Sequence, residues 1–227
     1  MKKYIVIVAG GKGKRMEEEQ PKQFLEIGTL PILMRTFHAF SFLADTAEFI
    51  LVLPTDSIDY WKQLCQKYSF TLPHQIAEAG PKRFHSVKSA LKFIPDGVLL
   101  AIHDAVRPFV SKQIIEDCFT MAERKGNAVP VTAVDESIRE LSGTLNKTIN
   151  RNKLRLVQTP QVFQSSIIKR AYQQPYNEIF TDDATVLENL GKQIFLVDGE
   201  RKNIKITNQV DLLLAQAIID SNTDFLS

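Results

Sequence analysis

The chain is poor in sulphur, in net charge and in long apolar runs, and each shortage narrows what it can do. Its 227 residues include 2 cysteines, Cys65 and Cys118, with no C-x-x-C spacing and no nearby histidine. That argues against metal ligation, and both sit in helix-like apolar patterns that predict buried thiols. A net charge of +2 gives no general drive toward nucleic acid or membrane, so any basic patch must be local. The cations lie scattered along the chain without aromatic interleaving, which leaves a nucleic-acid binder unsupported. No apolar run approaches the roughly 18 residues of a membrane span, and no signal peptide precedes the first strand. A reduced cytoplasm is therefore the expected setting. No internal repeat, low-complexity segment or interdomain linker interrupts the chain. With 44% hydrophobic and 24% charged residues, it suits one large α/β domain over residues 1–227.

What is present gathers in residues 5–24. Ile5 to Val8 reads as a strand buried on both faces, as in parallel sheets. Ala9 leads into Gly10, Gly11 and Gly13, which remove side chains where a ligand must approach the backbone. Exposed N–H groups in such a loop make an anion-binding concavity, and Lys12, Lys14, Arg15 and Lys22 add positive charge. This is a site for a nucleotide's phosphates. It is not the G-x-x-x-x-G-K-[ST] loop, because Arg15 follows Gly13-Lys14, and not G-x-G-x-x-G, because Met16 stands at the third glycine position.

Strand and helix patterns then alternate. Pro31 opens a helix with Leu33, Phe37 and Phe40 on one face; Phe49 to Leu53 is a buried strand; Trp61, Leu64, Cys65 and Tyr68 repeat at helix spacing. The alternation predicts a Rossmann-like, mostly parallel sheet with helices on both faces, binding its ligand at the carboxyl ends of the strands. Val87, Ala90, Leu91 and Ile94 mark a third helix, and Ser86 serves either as its N-cap or as a ligand contact. Val98 to Ile102 is a third strand, placing Asp104 at its carboxyl end to meet ligand or metal. Arg107 then pairs either with a phosphate, bidentately, or with Asp104. Ser111 caps a helix with an apolar stripe of Ile114, Ile115, Cys118, Phe119 and Ala122. Ala128 to Val131 reads as a strand. From about 135 to 157 the pattern becomes a polar hairpin, with too little apolar surface to stand alone. Ser165 or Ser166 begins a helix. Thr181 or Asp182 caps another, with Leu187 and Leu190 inward, and Ile194 to Val197 is a late strand. Ile204 and Ile206 point one way, so Lys205 points the other, into the cleft. Asn208 caps a last helix with Val210, Leu213, Leu214, Ala217 and Ile218 at helical spacing.

Five motifs, in order along essentially the whole chain, carry a resemblance. They are Ala9-Gly10-Gly11-Lys12-Gly13-Lys14-Arg15-Met16 with Pro21-Lys22-Gln23, then Gly80-Pro81-Lys82-Arg83-Phe84-His85-Ser86-Val87, then His103-Asp104-Ala105-Val106-Arg107-Pro108-Phe109. Thr159-Pro160-Gln161 and Gly199 to Thr207 complete them. The chain resembles the nucleotidyltransferases that join an NTP to a sugar or polyol phosphate, and among them the 2-C-methyl-D-erythritol 4-phosphate cytidylyltransferases. The resemblance implies that Ala9, Gly10, Gly11, Gly13, Gly80, Arg83 and Ser86 bind CTP, with the base read near Gly80 and Ser86. Pro81 departs from the pattern and supplies no N–H. Asp104, Ala105, Arg107, Ser137, Thr159 and Thr181 would hold the polyol phosphate. Ser137 replaces a threonine found in some relatives, after an apparent insertion at Thr132 to Val134. The hairpin would be a β-arm that clasps a second subunit in a homodimer, sending Arg151 into the partner's site.

The implied reaction is displacement of pyrophosphate from the α-phosphorus of CTP by a phosphate oxygen. A phosphate monoester with second pKa of about 6 is already dianionic near neutral pH and needs no general base. The task is to neutralise repulsion and align the reactants. Arg15 and Lys22 are the expected stabilisers of the pentacoordinate phosphorus, while Arg151 and Lys205 position the attacking phosphate. Mg²⁺ is expected on the triphosphate; Asp104 either holds that ion or orients the polyol hydroxyls. A ribitol 5-phosphate cytidylyltransferase is the nearest alternative, and a non-catalytic nucleotide-binding regulator the alternative of another class.

Overall fold

A computed structural model describes residues 1–11 and 20–223. The expectations at Lys12, Gly13, Lys14 and Arg15 lie outside those residues. The chain runs through β1 (Lys3–Val8), a small ribbon of β2 (Glu26–Ile27) and β3 (Leu30–Pro31), and α1 (Ile32–Ala39). It continues with β4 (Ala47–Leu53), α2 (Ile58–Lys67), β5 (Gln75–Glu78), α3 (Arg83–Ala90), β6 (Leu99–Asp104) and α4 (Lys112–Lys125). Next come β7 (Asn127–Ala133), β8 (Ile138–Ser142), β9 (Leu145–Ile149), β10 (Arg155–Val157) and β11 (Gln161–Gln164). Helices α5 (Ser165–Ala171) and α6 (Asp183–Glu188), strand β12 (Leu196–Asp198) and helix α7 (Gln209–Thr223) complete it.

The main sheet has eight strands. β1 lies between β4 and β6, parallel to both, and β5 extends the parallel half beyond β4. On the other side β11 runs antiparallel between β6 and β7, β10 joins β7 antiparallel, and β12 joins β7 in parallel. Alternation along β1 explains the layers. Ile5 and Ile7 pack with Leu33, Phe37, Trp61 and Ile115 from α1, α2 and α4. Tyr4 and Val6 face the opposite way, onto Phe84, Val87, Ile168 and Tyr172 from α3 and α5. A strand apolar from Tyr4 to Val8 thus feeds two cores, as a sheet covered on both faces requires.

Helix ends follow their capping residues. Ser111 accepts the Ile114 N–H at 3.3 Å and Gly126, at φ 95°, closes α4 in the left-handed region. Asp182, rather than Thr181, caps α6, in a capping box with Thr185. Three expectations fail, and one strand is unforeseen. Leu190 lies past the end of α6 and is exposed, and Cys65 is only half-buried. β5 has no counterpart in the sequence reading, since Gln75-Ile76-Ala77-Glu78 offers too short an apolar pattern. In α7 the stripe of Val210, Leu213, Leu214 and Ala217 faces solvent, while Leu212, Ala215 and Ile219 pack on Ile27, Val106 and Ile206. The helix is apolar on several sides, so its own period does not select the inner face; the capping contacts of Asp211 with Thr207 and Asn208 help fix its rotation.

At the end of the expected 135–157 segment β10 joins the main sheet beside β7, whereas within the polar hairpin strands β8 and β9 form a separate two-stranded sheet. Gly143, at φ 59°, makes its turn. Glu140 and Lys147 pair across it at 2.7 Å, and Leu141 and Leu145 at its tip are 76% and 74% exposed. No helix among the described residues is long and apolar enough to cross a membrane.

Candidate active site

The chain leaves β1 toward β4 on one side and returns to β6 on the other, which opens a crevice where the strand order reverses. Val8 stands opposite Asp104 at its floor, and the Ala105 N–H reaches the Val8 carbonyl at 3.1 Å. The glycine turn after β1 and the acid ending β6 are therefore neighbours, although Gly10 and Asp104 are 94 positions apart in sequence.

One cavity of about 600 Å³ is lined by Ala9, Gly10, Gly11, Lys22, Gly80 and Ser86, among others. Gly10 is required by packing: a Cβ there would meet Ser86 Oγ at 2.8 Å and Ala79 Cβ at 3.0 Å. Ser86 is not the helix N-cap. The cap position is Lys82, and Ser86 lies one turn into α3, buried, accepting the Gly80 N–H at 3.1 Å. Its hydroxyl staples the Gly80 turn to the helix and so shapes the wall facing Gly10.

A second cavity of about 470 Å³ is lined by Arg107, Gln158, Thr159, Gln161, Thr181 and Asp182, with an apolar side that includes Val129 and Ile194. The two cavities share Arg83, Asp104 and Lys205. Asp104 is the hub: Lys205 Nζ lies 2.9 Å and Arg107 Nε 3.4 Å from its Oδ2, and Arg83 Nε lies 3.5 Å from Oδ1. Burial alone would raise its pKa; Arg83, Lys205 and Arg107 more than reverse this and hold the carboxyl well below the usual range. Arg83 is anchored a second time by Asp183 at 2.7 Å, and the fully buried Asp183 also accepts the Tyr172 hydroxyl. Burial favours loss of the Arg83 proton, but Asp183 and Asp104 outweigh it and raise its pKa. Arg107, whose pKa burial lowers, donates to the Asn203 carbonyl at 2.8 Å. Its Nε contact with Asp104 realises one of its two sequence readings, and it lines the second cavity as well. Three cations thus cluster around Asp104 and Asp183, and Asp182 and Glu188 lie farther along the wall of the second cavity.

Thr159 is buried at the wall of the second cavity, where its Oγ1 accepts the Asp104 N–H at 3.1 Å and meets His103 Nδ1 at 3.0 Å. Thr181 borders the same cavity and Ala105 the first. Ser137 and Arg151 line neither. Both are exposed beside the hairpin, with the Arg151 guanidinium donating to the Asp135 carbonyl and Arg201 pairing with the Asp135 carboxylate at 2.5 Å. Asp104 fits poorly as a resident metal ligand, because both of its oxygens already face cations. Among the described residues no three metal-ligating side chains gather.

Sequence reasoning missed a second layer of polar residues. Gln161 bridges Asp182, at 2.7 Å, and the Ala184 N–H, at 2.9 Å; Asn203 donates to the Thr159 carbonyl at 2.9 Å; Gln158 donates to the Glu200 carbonyl at 2.8 Å. Gln161 and Asn203 stand inside quoted motifs, yet nothing in an amide's spacing announces that it is buried.

Known proteins bear on this geometry. Residues 4–221 match the family model "IspD: 2-C-methyl-D-erythritol 4-phosphate cytidylyltransferase". A protein of that name from Phocaeicola vulgatus is 47% identical over 219 residues, which are 96% of this chain and 100% of the relative. Its namesake from Bacteroides fragilis is 47% identical over 214 residues, 94% of this chain and 98% of the relative. Among solved structures, the 2-C-methyl-D-erythritol 4-phosphate cytidylyltransferase of Thermus thermophilus superposes with a TM-score of 0.77 at 31% identity, covering 96% of this chain and 98% of that one. The 4-diphosphocytidyl-2C-methyl-D-erythritol synthase of Anaerococcus prevotii gives 0.82 at 26% identity, with 96% of each chain covered.

Proposed function

Because the chain belongs to the 2-C-methyl-D-erythritol 4-phosphate cytidylyltransferase family, we propose that its two cavities hold the two substrates of one transfer. The protein is a CTP-dependent nucleotidyltransferase that moves a cytidylyl group from CTP to 2-C-methyl-D-erythritol 4-phosphate in isoprenoid biosynthesis. The observation that carries the assignment of sites is the shared wall. Arg83, Asp104 and Lys205 border both the glycine-lined cavity and the one rimmed by Thr181 and Gln161, so two anions seated there meet at one cationic junction.

CTP occupies the first cavity, along Ala9, Gly10 and Gly11, with its base toward Gly80, Arg83 and Ser86; the resemblance adds Gly13 to this set. The polyol phosphate occupies the second, beside Asp104, Arg107, Thr159 and Thr181, and reaches Ala105 where the first cavity adjoins at Asp104. Its phosphate oxygen attacks the α-phosphorus of CTP; a P–O bond forms there as the bond to the bridging oxygen breaks, and pyrophosphate leaves with the electron pair. No proton need move. Lys22 and Arg15 stabilise the charge on the pentacoordinate phosphorus and on the leaving group, and Lys205 positions the nucleophile. Mg²⁺ arrives as the counter-ion of the triphosphate; Asp104 serves as counter-ion to the three cations instead of as its ligand.

The 227 residues act as one domain with a β-arm built on β8 and β9; of the expected span 135–157, Arg155–Val157 belongs to the main sheet. Leu141 and Leu145, exposed at the arm's tip, support its burial against a second copy. In that homodimer Ser137 and Arg151 complete the neighbour's site. The free thiols of Cys65 and Cys118 support a reducing, cytoplasmic setting.

Pyrophosphate release with CTP and Mg²⁺ tests the reading, with methylerythritol 4-phosphate and ribitol 5-phosphate supplied in parallel. Release driven mainly by the methylerythritol compound is expected. Release driven by ribitol 5-phosphate would refute the acceptor assignment, and CTP binding without release from either would refute catalysis.

A further inference from the structure

His103 is the penultimate residue of β6 and has no exposed surface. It has no part in the transfer as drawn above, yet both of its ring nitrogens are engaged. Nε2 lies 3.0 Å from the Arg107 carbonyl and Nδ1 3.0 Å from Thr159 Oγ1. A carbonyl only accepts, so Nε2 carries the hydrogen. Desolvation by burial keeps the ring neutral near pH 7, lowering its pKa to about 4. A neutral ring protonated at Nε2 accepts at Nδ1, so the Thr159 hydroxyl donates to it. The lone pairs of Oγ1 then remain for the Asp104 N–H, 3.1 Å away. A single directed chain results, from the Asp104 amide through the Thr159 hydroxyl and the imidazole to the Arg107 carbonyl. Its two ends are the acid and the arginine at the junction of the cavities.

The segment it spans is also tied from other sides. The Thr36 hydroxyl donates to the Ala105 carbonyl at 2.8 Å, the Arg107 N–H to the Asp104 carbonyl at 3.2 Å, and the Ile206 N–H to the Val106 carbonyl at 2.9 Å. The Phe40 ring packs edge-on against the imidazole at 5.0 Å and closes its surroundings. The backbone from Asp104 to Arg107 is thereby fixed relative to Thr159 just before β11, to α1 and to the segment around Lys205.

We propose that His103, as the neutral Nε2–H tautomer, is a positioning residue that acts with Thr159 to aim Asp104 and Arg107 at the phosphorylated acceptor. The role in catalysis rests on the function proposed above. It also changes the reading of Thr159, whose hydroxyl hydrogen is committed to His103 and is not donated to substrate.

Four variants test it. His103→Asn keeps an acceptor for Thr159 but does not reach the Arg107 carbonyl; His103→Gln reaches that carbonyl with an N–H and gives up Thr159. Thr159→Val breaks the chain at its middle, and Thr159→Ser restores the hydroxyl. His103→Asn and Thr159→Val are expected to raise KM for the polyol phosphate roughly tenfold, the scale of one lost hydrogen bond, while KM for CTP stays within about twofold. His103→Gln and Thr159→Ser should recover most of the loss. An unchanged KM for the polyol phosphate, or an equal rise in both KM values, overturns the proposal. A readout independent of activity comes from ¹⁵N-labelled histidine NMR of the wild-type protein. His103 should show a protonated Nε2 and a lone-pair Nδ1, and Thr159→Val should move the Nδ1 signal; a proton on Nδ1 overturns the proposal. If the wild-type protein releases no pyrophosphate with either polyol phosphate, the functional reading fails, and the NMR result alone decides the hydrogen-bond chain.

Discussion

The pH dependence of stability exposes His103 most directly. In the unfolded chain its imidazole has the ordinary pKa of about 6.5; in the fold, burial pushes it down to about 4. Between those values the unfolded state binds a proton that the folded state refuses. By linkage, stability rises with pH across this window, so it is lost as pH falls from 6.5 toward 4 and no further below. The interval, at about 1.4 kcal/mol per pH unit, amounts to a loss on the order of 3 kcal/mol. With a urea slope of about 3 kcal/mol per M for a chain of this length, the midpoint should move by about 1 M. His38 and His74, also lowered by burial, act in the same direction, so the assay compares wild type with His103→Asn. Urea midpoints at several pH values between 7.5 and 4.5 are expected to fall more steeply for wild type, even though the variant starts lower. Asp104, with its pKa held down, contributes only near and below the ordinary carboxylate range. Parallel profiles for the two proteins would refute the reasoning, because they would mean that the buried imidazole accepts its proton at no extra cost.

Three other outcomes follow from the site. Lys22→Ala is expected to lower kcat by roughly a hundredfold, the scale for removing one preorganised stabiliser; near-normal kcat in pyrophosphate release would reject its role. Mixing Lys22→Ala with Arg151→Ala subunits should recover activity in the mixed dimers if the arm acts on its neighbour, and a mixture as silent as its parents would count against a shared site. Gly10→Ala should destabilise the fold by about 1–3 kcal/mol and raise KM for CTP, since its Cβ would stand 2.8 Å from the buried Ser86 hydroxyl. Thermal melts and CTP titrations check both effects.

Much of this site is written in short-range pattern. The apolar run of Ile5 to Val8 predicts a doubly covered strand, and Asp104 ends another such strand beside it. The alternation of Ile204 and Ile206 about Lys205 sends the lysine into the cleft, where it meets Asp104 at 2.9 Å. What escapes the sequence is decided by tertiary contact. Ser86 has the chemistry of a cap, but α3 starts three residues earlier, and the hydroxyl turns back to Gly80. Asp183 reads as one of two adjacent acids at a helix start; only the fold brings Arg83, 100 positions away, to its side. For α7 the helix itself is legible but its inner face is not, because apolar residues surround it and packing on Ile206 and Val106 makes the choice.

The shared wall between the cavities limits how such a site diverges. With the substrates seated as proposed, replacing the side chain of Arg83, Asp104 or Lys205 would disturb donor and acceptor together, so selection on either substrate would hold all three in place. Thr181, Gln161 and Asp182 touch the second cavity and not the first. On the same proposal they are the positions at which a descendant would adopt a new polyol while its ancestor's nucleotide preference stays intact. Acceptor choice is the replaceable part of this architecture, and the charge junction is its fixed frame.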